Sequence, residues 1–216
     1  MKILATRIGF VIVLCLGGES LAWDTPADFT CAATNALADD FVLVSTDFGN
    51  ALTNFIAIST NHQSQLEARL VLGERYLARY NETMNGADLR NAFCVASNIC
   101  DLTRMETNTW HCWQGQLLLF SCHARNNDTE GSYNVASNAL ATIGAQDIRS
   151  DNIVLTALSK RNKVQGLSVR QTIVLANALS AAMLKRRDEA EALALALPIR
   201  YRNMVIRLAD SEDWIR

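Results

Sequence analysis

Proline is almost absent from this chain: of its 216 residues only Pro26 and Pro198 are proline, and glycine accounts for just 10. Few breaks are therefore enforced, because proline interrupts a helix everywhere except its first turn. Aromatic residues make up 7% and charged residues 19%, while half of the chain is apolar, a balance that excludes intrinsic disorder and low complexity. No apolar run reaches the roughly 20 residues that a membrane helix needs. Ile8 to Leu16 is interrupted by Gly17 and Gly18, and Val174 to Leu184 contains Asn177 and Ser180 and stops at Lys185. Catalytic signatures are missing as well: Gly-x-Ser-x-Gly, His-Glu-x-x-His and a glycine-rich phosphate loop do not occur. Histidine bases are limited to His62, His111 and His123.

What is present begins with an export signal. Lys2 and Arg7 form a short basic start, the apolar run follows, and Ser20-Leu21-Ala22 has the small-x-small form of a cleavage site. Cleavage is expected after Ala22, leaving residues 23–216 as a single domain of 194 residues. The short apolar core disfavours a retained anchor, so no integral membrane segment is expected after cleavage. Cys15 does not mark a lipid anchor, because Leu14 stands where a small residue is needed. The chain is thus expected outside the cytoplasm, in a periplasm or secreted, with the alanine-rich composition and short leader pointing to a bacterial periplasm.

Charge is unevenly placed. Residues 23–159 carry 7 basic and 15 acidic side chains, net −8, whereas 160–216 carry 11 basic and 6 acidic, net +5. Arg200, Arg202 and Arg207 are interleaved with Tyr201, Met204, Val205 and Ile206, the pattern of an amphipathic helix with a solvated basic face. Export and the lack of a concentrated basic stripe exclude nucleic acid as a partner.

Alanine and leucine with so few breakers predict an all-α fold of antiparallel helical hairpins, repeat-like or an irregular bundle. Thr25-Pro26-Ala27-Asp28 supplies a cap, a first-turn proline and an acid at the helix start, and predicts a helix through Cys31, Leu37, Phe41 and Val44. Further helices are predicted over 50–59, over 64–80 with Leu66, Leu70, Gly73 and Leu77 on one stripe, and over 88–97. The run 109–123 is apolar nearly all round and predicts the most buried helix; 133–143 follows, with Gly144 as its stop. Ser168-Val169-Arg170-Gln171 is a capping box opening a helix to about Arg186, and Asp188-Glu189-Ala190-Glu191 opens another so soon that the two must form a hairpin. Pro198 ends that helix, and 199–209 forms the last.

The hairpin from Val174-Leu175-Ala176-Asn177-Ala178 to Arg187-Asp188-Glu189-Ala190-Glu191-Ala192-Leu193 resembles tetratricopeptide-type helical repeats. Leu72-Gly73-Glu74-Arg75-Tyr76 is similar to the family's Leu-Gly-x-x-Tyr segment, with Asp88-Leu89-Arg90-Asn91-Ala92 opening a partner helix. Small residues there let helices approach closely, and tyrosine fills the gap beside them. Val95-Ala96-Ser97-Asn98 also recurs as Val135-Ala136-Ser137-Asn138. The resemblance covers about 60 residues and lacks the fixed period near 34 of true repeats. It implies stacked hairpins and a protein or peptide partner.

Five cysteines remain after cleavage: Cys31, Cys94, Cys100, Cys112 and Cys122. In an exported chain they are disulfide candidates, two bridges with one cysteine left over. Sequence proximity favours Cys94 with Cys100 and Cys112 with Cys122. A continuous helix over 109–123 would hold the latter pair about 15 Å apart, against the roughly 7 Å that a bridge allows. Cross-pairing, such as Cys100 with Cys112 and Cys94 with Cys122 or Cys31, becomes the better choice, with the partners left open. A zinc site at His111-Cys112 and Cys122-His123 meets the same obstacle, since the two histidines would stand about 18 Å apart. No metal or cofactor is expected.

Few residues offer chemistry. Glu67 and Glu74 lie seven apart on one helical face and could pair as acid and base, although exposed helical glutamates at that spacing are common. Tyr76, Trp110 and Trp113 are candidates to line a ligand pocket or to serve as core aromatics. Asn81 and Asn127 begin glycosylation acceptor triplets, which matter only in a eukaryotic host. With no catalytic residue assigned, the expected function is a non-catalytic binding, adaptor or scaffold module for a protein or peptide. The alternatives are a hydrolase-like enzyme using carboxylates in a helical cleft, and an inhibitor or immunity-type protein. A deep acidic cleft holding Glu67 and Glu74 would favour catalysis; a shallow groove between hairpins would favour binding.

Overall fold

The computed structural model describes residue 23 and residues 25–104, 110–143 and 152–211. The leader, its cleavage site after Ala22 and the Gly144 stop lie outside the described residues, as does Thr109.

The described residues are helical throughout, with no strand. In chain order the helices are α1 (Pro26–Ala38), α2 (Asp40–Val44), α3 (Thr46–Ile58), α4 (His62–Thr83), α5 (Gly86–Leu102), α6 (Trp110–Arg125), α7 (Thr129–Ile143), α8 (Ile153–Asn162), α9 (Val169–Met183), α10 (Arg187–Ala194) and α11 (Ile199–Asp210). No described helix is long and apolar enough to cross a membrane.

Local chemistry accounts for most boundaries. Thr25 and Asp28 close a capping box at α1, and Ser168 and Gln171 close one at α9, so both expected starts are present. Ser45, Asn61 and Asn85 cap α3, α4 and α5 through side-chain oxygens, which lengthens those helices beyond their apolar stripes. α9 ends with Lys185 in the left-handed conformation (φ 60°), while the amides of Lys185 and Arg186 turn back onto the carbonyls of Ala182 and Ala181. That closure permits the tight turn into α10.

Two expectations need correction. The first helix does not run to Val44: Asp39 is extended, its carboxylate accepts from the Phe41 amide, and a new short helix starts there. As a result Phe41, expected on the apolar stripe, is 83% exposed. The second correction is α8, which the apolar periodicity did not single out.

The helices pack mainly on their neighbours: α4 on α5, α5 on α6, α6 on α7, α7 on α9, and α9 on α10 and α11. α8 folds back against α1, α4 and α6. α6 is therefore enclosed by α4, α5, α7 and α8, which explains burial on nearly all its faces. Glycines set the closest crossings. A Cβ at Gly73 would fall 2.2 Å from Leu118 Cδ2, and one at Gly115 would fall 2.8 Å from Ile99 Cγ2. At the other end of the core Trp23 packs on Phe29, Phe48 and Phe55, with Phe29 and Phe55 stacked at 4.6 Å. Each such side chain contributes about 1.5–3 kcal/mol by leaving water. A second apolar cluster joins α9, α10 and α11, and Cys112, Trp113, Leu117, Ala139 and Ile173 link the two.

Candidate functional site

Three places in the fold hold the residues that the sequence singled out: a polar seam between α4, α6 and α8, the cysteines of α5 and α6, and the grooves at the surface.

The seam corrects the picture of exposed glutamates. Glu67 and Glu74 are only 5% and 6% exposed, because the face of α4 that bears them is covered by α6 and α8. Asn152 Nδ2 donates to Glu67 Oε1 at 2.6 Å, and Asn162 Nδ2 donates to Glu74 Oε1 at 2.7 Å. Arg161 Nε stands 3.5 Å from Glu74 Oε2, while the same guanidinium pairs with Asp40 and donates to the Leu37 carbonyl at 3.3 Å. A single arginine thus holds α8 to α1, α2 and α4. Burial raises the Glu74 pKa above its ordinary value, opposed by the hydrogen bond from Asn162 and the charge of Arg161. Higher on the seam, His111 Nε2 stands 3.7 Å from Glu67 Oε1 and makes no hydrogen bond among the described residues. Gln114 Nε2 donates to Ser159 Oγ at 2.6 Å.

The structure brings His111 to Glu67 but leaves Glu74 elsewhere. Seven residues of helix separate the carboxylates by about 10.5 Å along the axis. Paired glycosidase carboxyls stand about 5–9.5 Å apart around an open cleft. Here each glutamate is buried with its own amide partner, and neither lines a groove. The partners Asn152, Arg161 and Asn162 were missed in sequence because they sit on α8. The asparagine that caps that helix was the one signal available.

Arg75 closes another joint. Its Nη2 donates to the carbonyls of Val44 and Ser45 at 3.3 and 3.0 Å, so a buried guanidinium caps the end of α2. Burial lowers its pKa, and Arg79 lowers it further. A Cβ at Gly49 would fall 2.4 Å from the guanidinium carbon, so this position has to be glycine for the arginine to lie there.

The other candidates sort into core and surface. Trp113 is buried and Trp110 half-buried, with their rings 6.1 Å apart; Tyr76 packs against the core. None of the three lines a groove. His62 is exposed at the start of α4, and His123 Nδ1 meets Asp128 Oδ2 at 2.8 Å. Among the described residues no three His, Cys, Asp or Glu side chains are grouped to hold a metal ion. Asn81 and Asn127 are exposed.

The expected disulfide bracing is not formed: no bridge joins any two of Cys31, Cys94, Cys100, Cys112 and Cys122. Cys31 and Cys94 are exposed, Cys100 is half-buried, and Cys112 and Cys122 are buried. Continuous helices explain why neighbours in sequence stay apart, since Cys94 and Cys100 share α5, and Cys112 and Cys122 share α6. Burial pushes the Cys100 thiol up to about 12, with Cys112 and Asp101 adding to it. It does the same to Cys122, there opposed by Arg125 and reinforced by Glu74. Both thiols are protonated at neutral pH and are poor nucleophiles.

Two surface grooves remain. One, of about 450 Å³, lies between α1 and α8 over Leu37, Ala38, Ile153 and Ala157, with Lys160 and Arg161 at its edge. The other, of about 640 Å³, lies between α9 and α11. Leu179, Met204 and Leu208 give it apolar surface, and Arg200, Asn203 and Arg207 complete its lining. Arg161 is committed to Asp40 and Glu74, whereas Arg200 and Arg207 have no ion-pair partner among the described residues. Compared with known protein families, curated proteins and solved structures, the chain matches none.

Proposed function

We propose that this chain is an exported, non-catalytic binding module whose α9–α11 groove takes an acidic, amphipathic peptide segment of a protein partner. The observation that carries the reading is the pairing of apolar surface with two arginines that have no ion-pair partner among the described residues, Arg200 resting over the Tyr201 ring at 5.7 Å. Arg200 and Arg207 are seven residues apart on α11, two helical turns, with Met204 between them on the same face. An apolar helix bearing carboxylates at a similar interval would meet both charges while burying its leucines. Residues 160–216 carry net +5, which steers an acidic ligand to this end of the molecule. Met183 and Ile199, on the helices that form the groove, are also exposed.

Support against an enzymatic reading comes from the seam: its carboxylates are buried and partnered, and neither is among the residues that line the two grooves. The resemblance to tetratricopeptide-type hairpins fits binding too, because stacked hairpins present extended recognition surfaces. Disulfide bracing of the exported chain is a separate expectation, which peptide binding does not require.

The test is fluorescence anisotropy of the purified chain with two labelled amphipathic helical peptides, one of leucine and glutamate, the other with lysine for every glutamate. The acidic peptide is expected to bind at least about tenfold more tightly, a difference of about 1.4 kcal/mol. Arg200→Glu with Arg207→Glu should reverse that preference, and Met204→Glu should weaken both peptides. Equal binding of the two, or binding indifferent to all three substitutions, sinks the proposal.

A further inference from the structure

We infer that Cys100 and Cys112 are the site of an oxidative cross-link, a disulfide that ties α5 to α6. The inference goes beyond the peptide groove, which lies on other helices and is tested separately.

Geometry selects the pair. Ile99 meets Gly115, and Phe93 meets His123 edge-on at 4.9 Å, so α5 and α6 run antiparallel. Moving toward the end of α5 therefore means moving toward the start of α6. From the Ile99–Gly115 crossing, Cys100 lies one residue along α5 and Cys112 three residues back along α6, in the same direction. At 1.5 Å per residue the two are offset by only about 3 Å along the axes. A Cβ at Gly115 would fall 3.5 Å from Cys100 Sγ, and Cys112 precedes Gly115 by three residues, nearly one turn of α6. Cys112 adds to the cost of ionising Cys100, whereas no cysteine has that effect on Cys122.

Elimination agrees. Six residues of α5 put Cys94 and Cys100 about 9 Å apart along the axis, and ten residues of α6 put Cys112 and Cys122 about 15 Å apart, both beyond the reach of a bridge. Cys94 faces solvent while Cys122 is fully buried, so that pair points apart. Cys112 has a further contact of its own. The cross-link does not need an idle sulfur, since bond formation replaces only the thiol hydrogen.

The oxidant is a disulfide, either a small molecule such as oxidised glutathione or a disulfide-bearing oxidoreductase of the exported compartment. One thiolate attacks it, forming a mixed disulfide and releasing one thiol. The second thiolate then attacks the mixed disulfide, forming the Cys100–Cys112 bond and releasing the other thiol. Two protons and two electrons leave the protein, and the oxidant's S–S bond is reduced to two thiols. Because Cys112 is buried and the Cys100 thiol is poorly ionised when folded, the bond forms readily during folding and slowly afterwards.

The test is refolding of the full chain with oxidised and reduced glutathione, followed by alkylation in denaturant without reductant and tandem mass spectrometry of the unreduced digest. The expected result is one peptide pair joined through Cys100 and Cys112, lacking two hydrogens, with Cys31 and Cys94 alkylated. Cys100→Ser and Cys112→Ser should each abolish the link and remove the same reductant-sensitive part of the Tm, while Cys94→Ser leaves both unchanged. Alkylation of all five cysteines, or a bridge through Cys94 or Cys122, overturns the inference. Five alkylated cysteines would leave the peptide groove untouched, so the two proposals fail independently.

Discussion

At the scale of single residues, the carboxyls of Glu74 and Asp128 make opposite demands on pH. Glu74 has its pKa raised by burial, so the folded state holds its proton more tightly than the unfolded chain. Its contribution is therefore fully favourable below the ordinary glutamate pKa and is lost as pH rises through the folded value. Glu74→Gln keeps an acceptor for Asn162 without the buried charge, so the variant should gain stability over the wild type as pH is raised from acid to neutral. Asp128 is the reverse case: its pKa is lowered by the Gly131 amide and by His123, so its contribution is present above the ordinary aspartate pKa and lost on acidification. Asp128→Asn should accordingly fall behind the wild type at neutral pH and converge with it in acid. Urea unfolding across a pH series reads both, and a pH-independent difference for Glu74→Gln would contradict the raised pKa. None of this was visible in the spacing of Glu67 and Glu74, which places both on one face of a helix but does not say what covers that face.

At the scale of helices, the caps were the most legible feature and α8 the least. Thr25 and Ser168 announce their helices because a capping oxygen and its amide lie within three residues of each other. α8 is short, mixed in its periodicity, and held by contacts with residues far back in the chain. Its cap shows the difference: Asn152 accepts from the Leu155 amide through Oδ1 and donates through Nδ2 to Glu67. Asn152→Ala loses a cap worth about 1 kcal/mol and also strips a buried carboxylate of its donor, a further cost of about 1–3 kcal/mol. Ser168→Ala loses only the cap, about 1 kcal/mol. Denaturant midpoints should rank Asn152→Ala as the more damaging; equal losses would mean that the Glu67 bond contributes nothing. The break at Asp39 was missed for a different reason, a local one: the stripe through Phe41 reads as helical until the competing Asp39 cap is considered.

At the scale of the whole molecule, α6 is surrounded by four helices and α11 rests mainly on α9 and α10. Opening α11 exposes little core, whereas opening α6 exposes Trp113, Leu118 and Cys122 together. Hydrogen exchange should therefore find the α6 amides protected to near the global unfolding free energy and those of α11 exchanging by local opening; uniform protection would count against that hierarchy. The sequence by itself determined the helical class, most helix positions, the caps at Thr25 and Ser168 and the impossibility of a Cys112–Cys122 bridge. Each depends on interactions within a few residues or on the rise of a helix, both written locally. Only the tertiary structure decided that Glu67 and Glu74 are buried, that Asn152 and Asn162 reach them across 85 and 88 residues, and that Arg200 and Arg207 border an open groove. The physical reason is that burial and charge pairing depend on which helix covers which face, and helices whose polar and apolar faces look alike can be stacked in many orders until long-range packing selects one.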